Sequence, residues 1–277
     1  MPLPRLMHSP TTPNTGSAEP WPTTSPNPEQ RTIYVSSGVA LPTGLPIPEG
    51  HNKALPPWTF DAESWWIFPP VPMPWHSKGA LDPLEQERYR DSQATYAGGL
   101  GAIPLIRYHT SPVGNMSYKA GPNSTISGLS ITRIYVSSIA SIVNGNTPKK
   151  LAKFDFTKQD ASESTSEFSP KPLFSARLVL SRQIPTFSLN LARIPQFALD
   201  PTLLQAPLTG SGQGDELTGT EKWYTMIPSF SGTVRVMYPE PGLGESKFGD
   251  GIGFPDVQPM SAGLWWSPMS LSFVKCG

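Results

Sequence analysis

Hydrophobic side chains recur at every second position over several stretches of this chain. In two of them the apolar members are Ala152, Phe154 and Phe156, then Phe174, Ala176, Leu178 and Leu180. Such alternation is typical of half-buried antiparallel strands. Other runs rich in Ile, Val, Leu and Tyr cover residues 32–35, 100–109, 129–143, 233–238 and 270–274. We therefore predict a mainly β fold.

Helical signals are few and short. Asp82-Pro83-Leu84-Glu85 combines a capping Asp, a proline in the first turn and a Glu three residues after the cap, which predicts a helix to about Ala94. A second short helix is expected within Pro195 to Gln205, and Gly210 to Gly214 is expected to be a loop. The fold class is thus a β-rich α+β domain, with an antiparallel, barrel-like sheet closed or partly closed around a pocket.

Proline is unevenly distributed. The chain has 277 residues and 34 prolines, of which 17 fall within residues 1–75, so a long-helix or coiled-coil protein is excluded. Residues 1–30 contain too few apolar side chains to offset their ordering entropy, and we expect a disordered or extended Pro-rich arm there. Residues 31–277 are expected to form one domain. Residues 41–75, with nine prolines and four tryptophans, predict extended segments wrapped over the sheet.

Charge and cysteine content limit the partners. The 21 basic and 21 acidic residues balance, so long-range electrostatics draws the chain neither to nucleic acid nor to an anionic membrane. A single cysteine, Cys276, excludes a disulfide framework. No apolar run is long enough to span a bilayer, and the first thirty residues lack the apolar block of a secretory signal. We predict a cytoplasmic protein that takes a small-molecule substrate and can form a homo-oligomer.

Cofactor signals are missing from the sequence. The four histidines (His8, His51, His76 and His109) show no metal-ligand spacing. The glycines of Gly98-Gly99-Leu100-Gly101 precede a predicted strand, whereas a phosphate loop opens a helix. The nucleophile-elbow motif Gly-x-Ser-x-Gly does not occur. We predict that the protein needs neither a metal nor an organic cofactor.

Two adjacent lysines carry the strongest chemical signal. Lys149 and Lys150 follow Pro148 between two apolar strands. A free lysine amine has a pKa of about 10.4, and both desolvation and a neighbouring cation lower that pKa. The pair is either a solvated turn or a source of a nucleophilic amine.

Pro148-Lys149-Lys150-Leu151 resembles the active-site segment of acetoacetate decarboxylase. Further blocks similar to fungal members of that superfamily are Pro56-Pro57-Trp58, Gly98 to Gly101, Ile106 to Tyr108, Ser111 to Gly114, Ile131 to Ser137, and Asn144 to Phe154. The resemblance covers roughly residues 55–156. It implies that Lys149 forms a Schiff base with the substrate and that Lys150 is the neighbouring cation.

The sequence differs from the family at the position where the decarboxylases carry an acidic residue. Decarboxylases of the family carry a carboxylate shortly after the Val-Gly turn, whereas Gly114 is followed by residues 115–119 without an acid. Tyr118 is then the predicted polar group at that place, with Arg133 on a nearby strand. Arg107 and Trp66 are the other candidates for the substrate pocket.

Two classes of enzyme follow. In the first, Lys149 attacks a ketone or β-keto acid, and the iminium permits decarboxylation, aldol chemistry or dehydration. In the second, a cyclase, pericyclase of Diels–Alder type or isomerase folds an apolar polyketide or terpenoid without a covalent step. Similarity to fungal members implies a role in secondary metabolism. A non-catalytic binding or structural role is the third possibility.

Overall fold

The structure is a computed structural model. It describes residues 30–37, 57–68, 102–110, 129–130, 134–137, 150–156, 172–194, 202–205, 224–242, 245–256 and 262–275. Three predicted features lie outside these residues, namely the arm up to residue 29, the helix over residues 82–94 and the loop over residues 210–214.

Eleven strands and one short 3₁₀ helix make up the described chain. The strands are β1 (Gln30–Ser37), β2 (Trp58–Ile67), β3 (Ile103–Thr110), β4 (Leu129–Ser130), β5 (Tyr135–Val136), β6 (Lys150–Asp155), β7 (Phe174–Leu180), β8 (Phe187–Asn190), β9 (Leu203–Gln205), β10 (Tyr224–Pro241) and β11 (Gly263–Lys275). The 3₁₀ helix is Leu191–Arg193, and the Asn190 side chain caps it by accepting from the amide of Ala192. No helix in the described ranges is long and apolar enough to cross a membrane.

One curved sheet contains all the strands. Its main path runs β3-β2-β11-β10-β7-β1-β6-β5, while β8 and β9 pair with β10, and β4 pairs with β9. The pairs are antiparallel except β5 with β6 and β4 with β9. The predicted antiparallel, partly closed β fold is therefore confirmed.

Two local predictions meet the structure only in part. The short helix expected within Pro195 to Gln205 does not extend over residues 203–205, which form β9 by pairing with Tyr224 to Met226 of β10, while residues 195–201 lie outside the described residues. The prolines and tryptophans around residue 60 predicted a segment lying over the sheet, but β2 is an inner strand between β3 and β11. In both places, pairing with a distant strand overrides the local signal.

Strands β10 and β11 are the longest strands, and β10 pairs with different strands along its length. The first half of β10 pairs with β8 and β9, and its second half pairs with β7. The register between β10 and β11 shifts between Gly232 and Val234, which is where a bulge bends and twists a strand. A Cβ at Gly232 would collide with the Pro268 carbonyl oxygen, so this close approach requires glycine.

The core consists of two clusters on opposite faces of β2 and β11. The first core cluster contains Phe60, Ala62, Ile106, Tyr108, Ile134, Val136, Leu191, Leu203, Met226, Phe230, Val234, Trp266, Met269, Leu271 and Phe273, with Trp58, Trp66, Leu189, Ile194 and Leu264 packed against it. The second core cluster contains Ile33, Val35, Trp65, Ile67, Ile103, Leu105, Tyr135, Ala152, Leu173, Phe174, Ala176, Leu178, Leu180, Met237, Phe248, Phe254 and Trp265, with Phe154 and Phe156 packed against it. Adjacent tryptophans therefore point to opposite clusters, because successive strand residues alternate in direction.

Candidate functional site

The second core cluster lies on the face of the curved sheet that carries Trp65, which we call the interior. The ring of Trp65 on β2 stacks on the ring of Phe156, directly after β6, with centroids 5.4 Å apart. Strands β11, β10, β7 and β1 lie between β2 and β6 in the sheet order. A contact between side chains on strands so far apart must cross the interior. The face of β2 that carries Trp65 therefore looks towards β6.

Strand β6, which begins at Lys150, contributes side chains to this interior. Ala152, Phe154 and Phe156 all contact the second core cluster. Lys150 is the first residue of β6, and its backbone pairs with Tyr135 of β5. The Tyr135 hydroxyl donates a 2.6 Å hydrogen bond to the carbonyl oxygen of Gly253.

Three predicted site residues are not described by the structure. Lys149, Tyr118 and Arg133 all lie outside the described residues. Their roles therefore stay predictions. Of the predicted pocket residues, Arg107 and Trp66 are described.

A buried carboxylate occupies the same face as Trp65. The Glu63 side chain is on β2, and the residue is only 7% exposed. Its Oε1 accepts a 2.7 Å hydrogen bond from the indole Nε1 of Trp265. Burial of an acid without such a donor would be costly, so the indole is what makes this position tolerable. Glu63 was missed in the sequence, since Asp61-Ala62-Glu63 resembles an ordinary exposed strand edge.

Arg107 lies beside Glu63 on the same face. The two residues are direct cross-strand neighbours between β2 and β3. Ile106 and Tyr108, on either side of Arg107, belong to the first core cluster, so the intervening Arg107 faces the opposite way. Arg107 is partly buried. The guanidinium carries several hydrogen-bond donors in a fixed plane, which suit a carboxylate or a carbonyl oxygen.

Trp66 does not share this face. Its ring packs against Trp266, with centroids 5.3 Å apart, and against Phe230, at 5.0 Å, within the first core cluster. Its Nε1 donates a 3.0 Å hydrogen bond to the Ser64 hydroxyl. The structure therefore separates the predicted pocket residues Arg107 and Trp66 onto opposite faces of the sheet.

Aromatic and aliphatic side chains together line the interior. Trp65 and Trp265 are 5.6 Å apart between ring centroids, and Phe154 and Phe156 are stacked at 6.0 Å. Such a lining excludes water and strengthens electrostatic interactions inside it. An amine that entered this interior would be desolvated, which lowers the pKa of a lysine.

A metal site has no support in the described part of the chain. No group of three or more His, Cys, Asp or Glu side chains is close enough there to bind a metal ion. The described histidine, His109, is exposed.

No family model matches the chain, and no curated protein matches it in sequence. Among solved structures, the chain is similar to an acetoacetate decarboxylase from Legionella pneumophila, at 11% identity and a TM-score of 0.49, over 84% of this chain and 91% of that one. It is also similar to an acetoacetate decarboxylase-like enzyme from Sphingomonas wittichii RW1, at 12% identity and a TM-score of 0.46, over 85% and 98% of the two chains. The enduracididine biosynthesis enzyme MppR complexed with pyruvate matches at 12% identity and a TM-score of 0.42, over 87% and 97%.

Proposed function

We propose that this protein is a cofactor-free enzyme resembling acetoacetate decarboxylase, in which the Lys149 amine acts on a ketone or β-keto acid in the concave interior of the sheet. The proposal rests on the resemblance of Pro148-Lys149-Lys150-Leu151 and on the entry of the following strand, β6, into an aromatic interior. It includes an apolar carbonyl substrate, a cytoplasmic location and a role in fungal secondary metabolism.

The chemistry begins with the amine. Neutral Lys149 adds to the substrate carbonyl, water leaves, and the resulting imine takes up one proton from solvent to form the protonated imine. With a β-keto acid, the carbon–carbon bond to the carboxylate then breaks, and its electron pair moves into the iminium. The products of this step are carbon dioxide and an enamine. A proton delivered to the enamine carbon restores the iminium, which water hydrolyses to the ketone and the free amine. Lys150 serves as the cation that favours the neutral form of Lys149.

The observation that carries the proposal is the buried carboxyl group of Glu63. It faces the interior that β6 enters, two residues from the Trp65 ring that stacks on Phe156. The proposed reaction needs one group that takes up a proton and returns it to carbon, and the segment after Gly114 supplies no acid. Glu63 supplies that group in the proposal, with Arg107 beside it to attract the substrate carboxylate.

Trapping with borohydride tests the amine. The protein is incubated with acetoacetate and sodium borohydride, and the adduct is located by peptide mass spectrometry. A reduced adduct on Lys149 is expected. Lys149→Ala should lose both the adduct and turnover, Lys150→Ala should mainly shift the pH optimum upward, and Lys153→Ala is the control that should keep the adduct. Absence of an adduct on the wild type, or turnover by Lys149→Ala, would contradict the amine mechanism and leave the non-covalent cyclase or isomerase.

A second variant distinguishes the proposed role of Glu63 in proton transfer from the role of Lys149 in imine formation. Glu63→Gln should keep the borohydride adduct, because imine formation precedes the step that needs the carboxyl group, while turnover falls by about 10²-fold or more. The matched control is Glu240→Gln, which removes an exposed carboxylate paired with Arg177. If both glutamine variants turn over at the wild-type rate, Glu63 has no role in catalysis.

A further inference from the structure

The buried carboxyl group of Glu63 is held by an indole. Glu63 is 7% exposed, and its Oε1 accepts a hydrogen bond of 2.7 Å from Nε1 of Trp265. An indole has a single N–H, and here that N–H is directed at Oε1. The contact therefore fixes one of the two carboxyl oxygens and leaves Oε2 to other partners.

Strand β11 carries one extra residue opposite Glu63. Trp266 and Met269 are three positions apart on β11, but their partners on β2 are only two positions apart, so residues 267–268 both oppose Glu63. This is a β-bulge, a feature that redirects nearby side chains and is common next to active sites. The regular cross-strand pair is lost at Glu63, and Trp265 supplies the side-chain contact from β11 diagonally.

The indole that holds Glu63 is itself tightly packed. Trp265 is 4% exposed, and its ring lies against the ring of Trp65, with centroids 5.6 Å apart. The Trp65 ring in turn stacks on Phe156, at the end of β6, with centroids 5.4 Å apart. An indole N–H lies in the plane of its ring, so contacts that fix the ring also fix the direction of the hydrogen bond. The orientation of the Glu63 carboxyl group is thereby linked to the interior that β6 enters.

Glu63 lies where its face of β2 changes from buried to exposed. Trp65 is buried on this face, whereas Thr59 and Asp61 are exposed. Ser270, the partner of Asp61 on β11, is exposed as well. A carboxyl group at this boundary is close enough to solvent to exchange a proton, while the donor that orients it stays shielded from water.

We propose that Trp265 is a positioning residue for Glu63. Its N–H holds Oε1, so that Oε2 is the oxygen that moves a proton between solvent and the substrate carbon. Trp265 itself does not touch the reacting atoms. The inference rests on the proposed function, because it takes Glu63 as the group that transfers the proton.

Deuterium exchange into acetone measures this proton transfer. In D₂O, Lys149 and acetone form the imine with loss of water, and the imine takes up a deuteron from solvent. Glu63 then removes a proton from the methyl carbon to give the enamine, exchanges that proton with solvent, and returns a deuteron to the same carbon. Hydrolysis releases deuterated acetone and the free amine. The loss of the methyl proton signal is followed by NMR spectroscopy.

Replacing Trp265 by 3-benzothienylalanine removes the donor and keeps the ring shape, because sulfur takes the place of the N–H. Exchange should slow by about ten- to 100-fold through a lower kcat, with KM for acetone unchanged. Borohydride trapping with acetone should still give the wild-type amount of adduct on Lys149. The matched control is the same replacement at Trp266, whose N–H has no hydrogen-bond partner among the described residues. It should leave exchange unchanged.

A Glu63→Gln background distinguishes positioning from a general effect on packing. Replacing Trp265 there should not slow the residual exchange further, because the group through which Trp265 acts is gone. The proposal is overturned if the Trp265 replacement exchanges at the wild-type rate, if the Trp266 replacement slows exchange as much, or if the slowing is equally large in the Glu63→Gln background. Each of these results leaves wild-type exchange and the Lys149 adduct in place, so the proposed amine mechanism stands. Absence of exchange by the wild type, or exchange by Glu63→Gln at the wild-type rate, overturns this proposal together with the proposed role of Glu63.

Discussion

The two faces of β2 and β11 differ in how many of their buried polar side chains have a hydrogen-bond partner. On the interior face, the Glu63 carboxyl group is bonded to the Trp265 indole, and the Tyr135 hydroxyl is bonded to Gly253, although the Trp65 indole has no partner among the described residues. On the opposite face, the Ser64 hydroxyl accepts from the Trp66 indole. In the part of the chain that the structure describes, the indole N–H groups of Trp58 and Trp266 and the hydroxyl of Tyr108 have no hydrogen-bond partner.

The difference follows from the cost of burying each kind of polar group. A buried acid cannot be left alone, because its desolvation is far more costly than that of a neutral donor. Neutral indole and phenol groups can be buried unpaired at a smaller cost, about 1–3 kcal/mol each. The neighbouring tryptophans of β11, Trp265 and Trp266, provide a direct test of this contrast.

The largest effect is expected from Trp265→Phe compared with Trp266→Phe. Both changes remove an indole from a buried position, but Trp265→Phe also removes the hydrogen bond to Glu63. Trp265→Phe should therefore lower the free energy of unfolding by about 1.5–3 kcal/mol more than Trp266→Phe does. Urea unfolding measures the difference. Equal losses in the two variants would mean that the bond to Glu63 contributes nothing.

Ser64→Ala should produce a new unpaired donor on the opposite face. The fully buried Ser64 hydroxyl donates to the Leu105 carbonyl oxygen and accepts from Trp66, so both partners are left unpaired. A loss of about 1–3 kcal/mol is expected in urea unfolding. Ser188→Ala, at an exposed position of β8, is the control and should change stability by less than about 0.5 kcal/mol. A loss no larger than the control's would contradict the contact.

Alkaline pH should reveal the burial of Tyr108. Its pKa is raised in the folded protein, so above the ordinary tyrosine pKa of about 10 the unfolded chain releases a proton that the folded chain keeps. Stability from this group is complete below pH 10 and falls by about 1.4 kcal/mol per pH unit above it, until the raised pKa is reached. Tyr108→Phe should flatten this part of the stability curve, measured by urea unfolding between pH 9 and 11. A slope unchanged by the substitution would contradict the burial of the phenol.

The smallest effect is expected when the hydroxyl group of Tyr135 or of Tyr108 is removed by substitution with phenylalanine. Tyr135→Phe removes a hydrogen bond and should cost about 1 kcal/mol, whereas Tyr108→Phe removes an unpaired group and should be neutral or slightly stabilising. Thermal unfolding at neutral pH compares them. If Tyr108→Phe destabilises as much as Tyr135→Phe, the Tyr108 hydroxyl has a partner in the protein.

The sequence by itself determined the local part of the fold. Alternation over Phe174 to Leu180 predicted β7 and its buried members, and the apolar runs near residues 103, 152, 235 and 272 all contain strands. Strand alternation depends on residues two positions apart, so it is visible in one segment at a time. The adjacent lysines and their resemblance were visible for the same reason, since a motif is local.

Only the tertiary structure decided which strands meet and which polar groups are buried. Glu63 and Trp265 are 202 positions apart in the chain, and β2 lies in the middle of the sheet despite the prolines around it. The same applies to Trp65-Trp66 and Trp265-Trp266, where alternation predicts opposite directions but does not say which direction meets the concave interior. That choice depends on the curvature of the whole sheet and on the contact of Trp65 with Phe156 across it. Long-range pairing of this kind is set by the combined burial of many strands, and no single segment contains it.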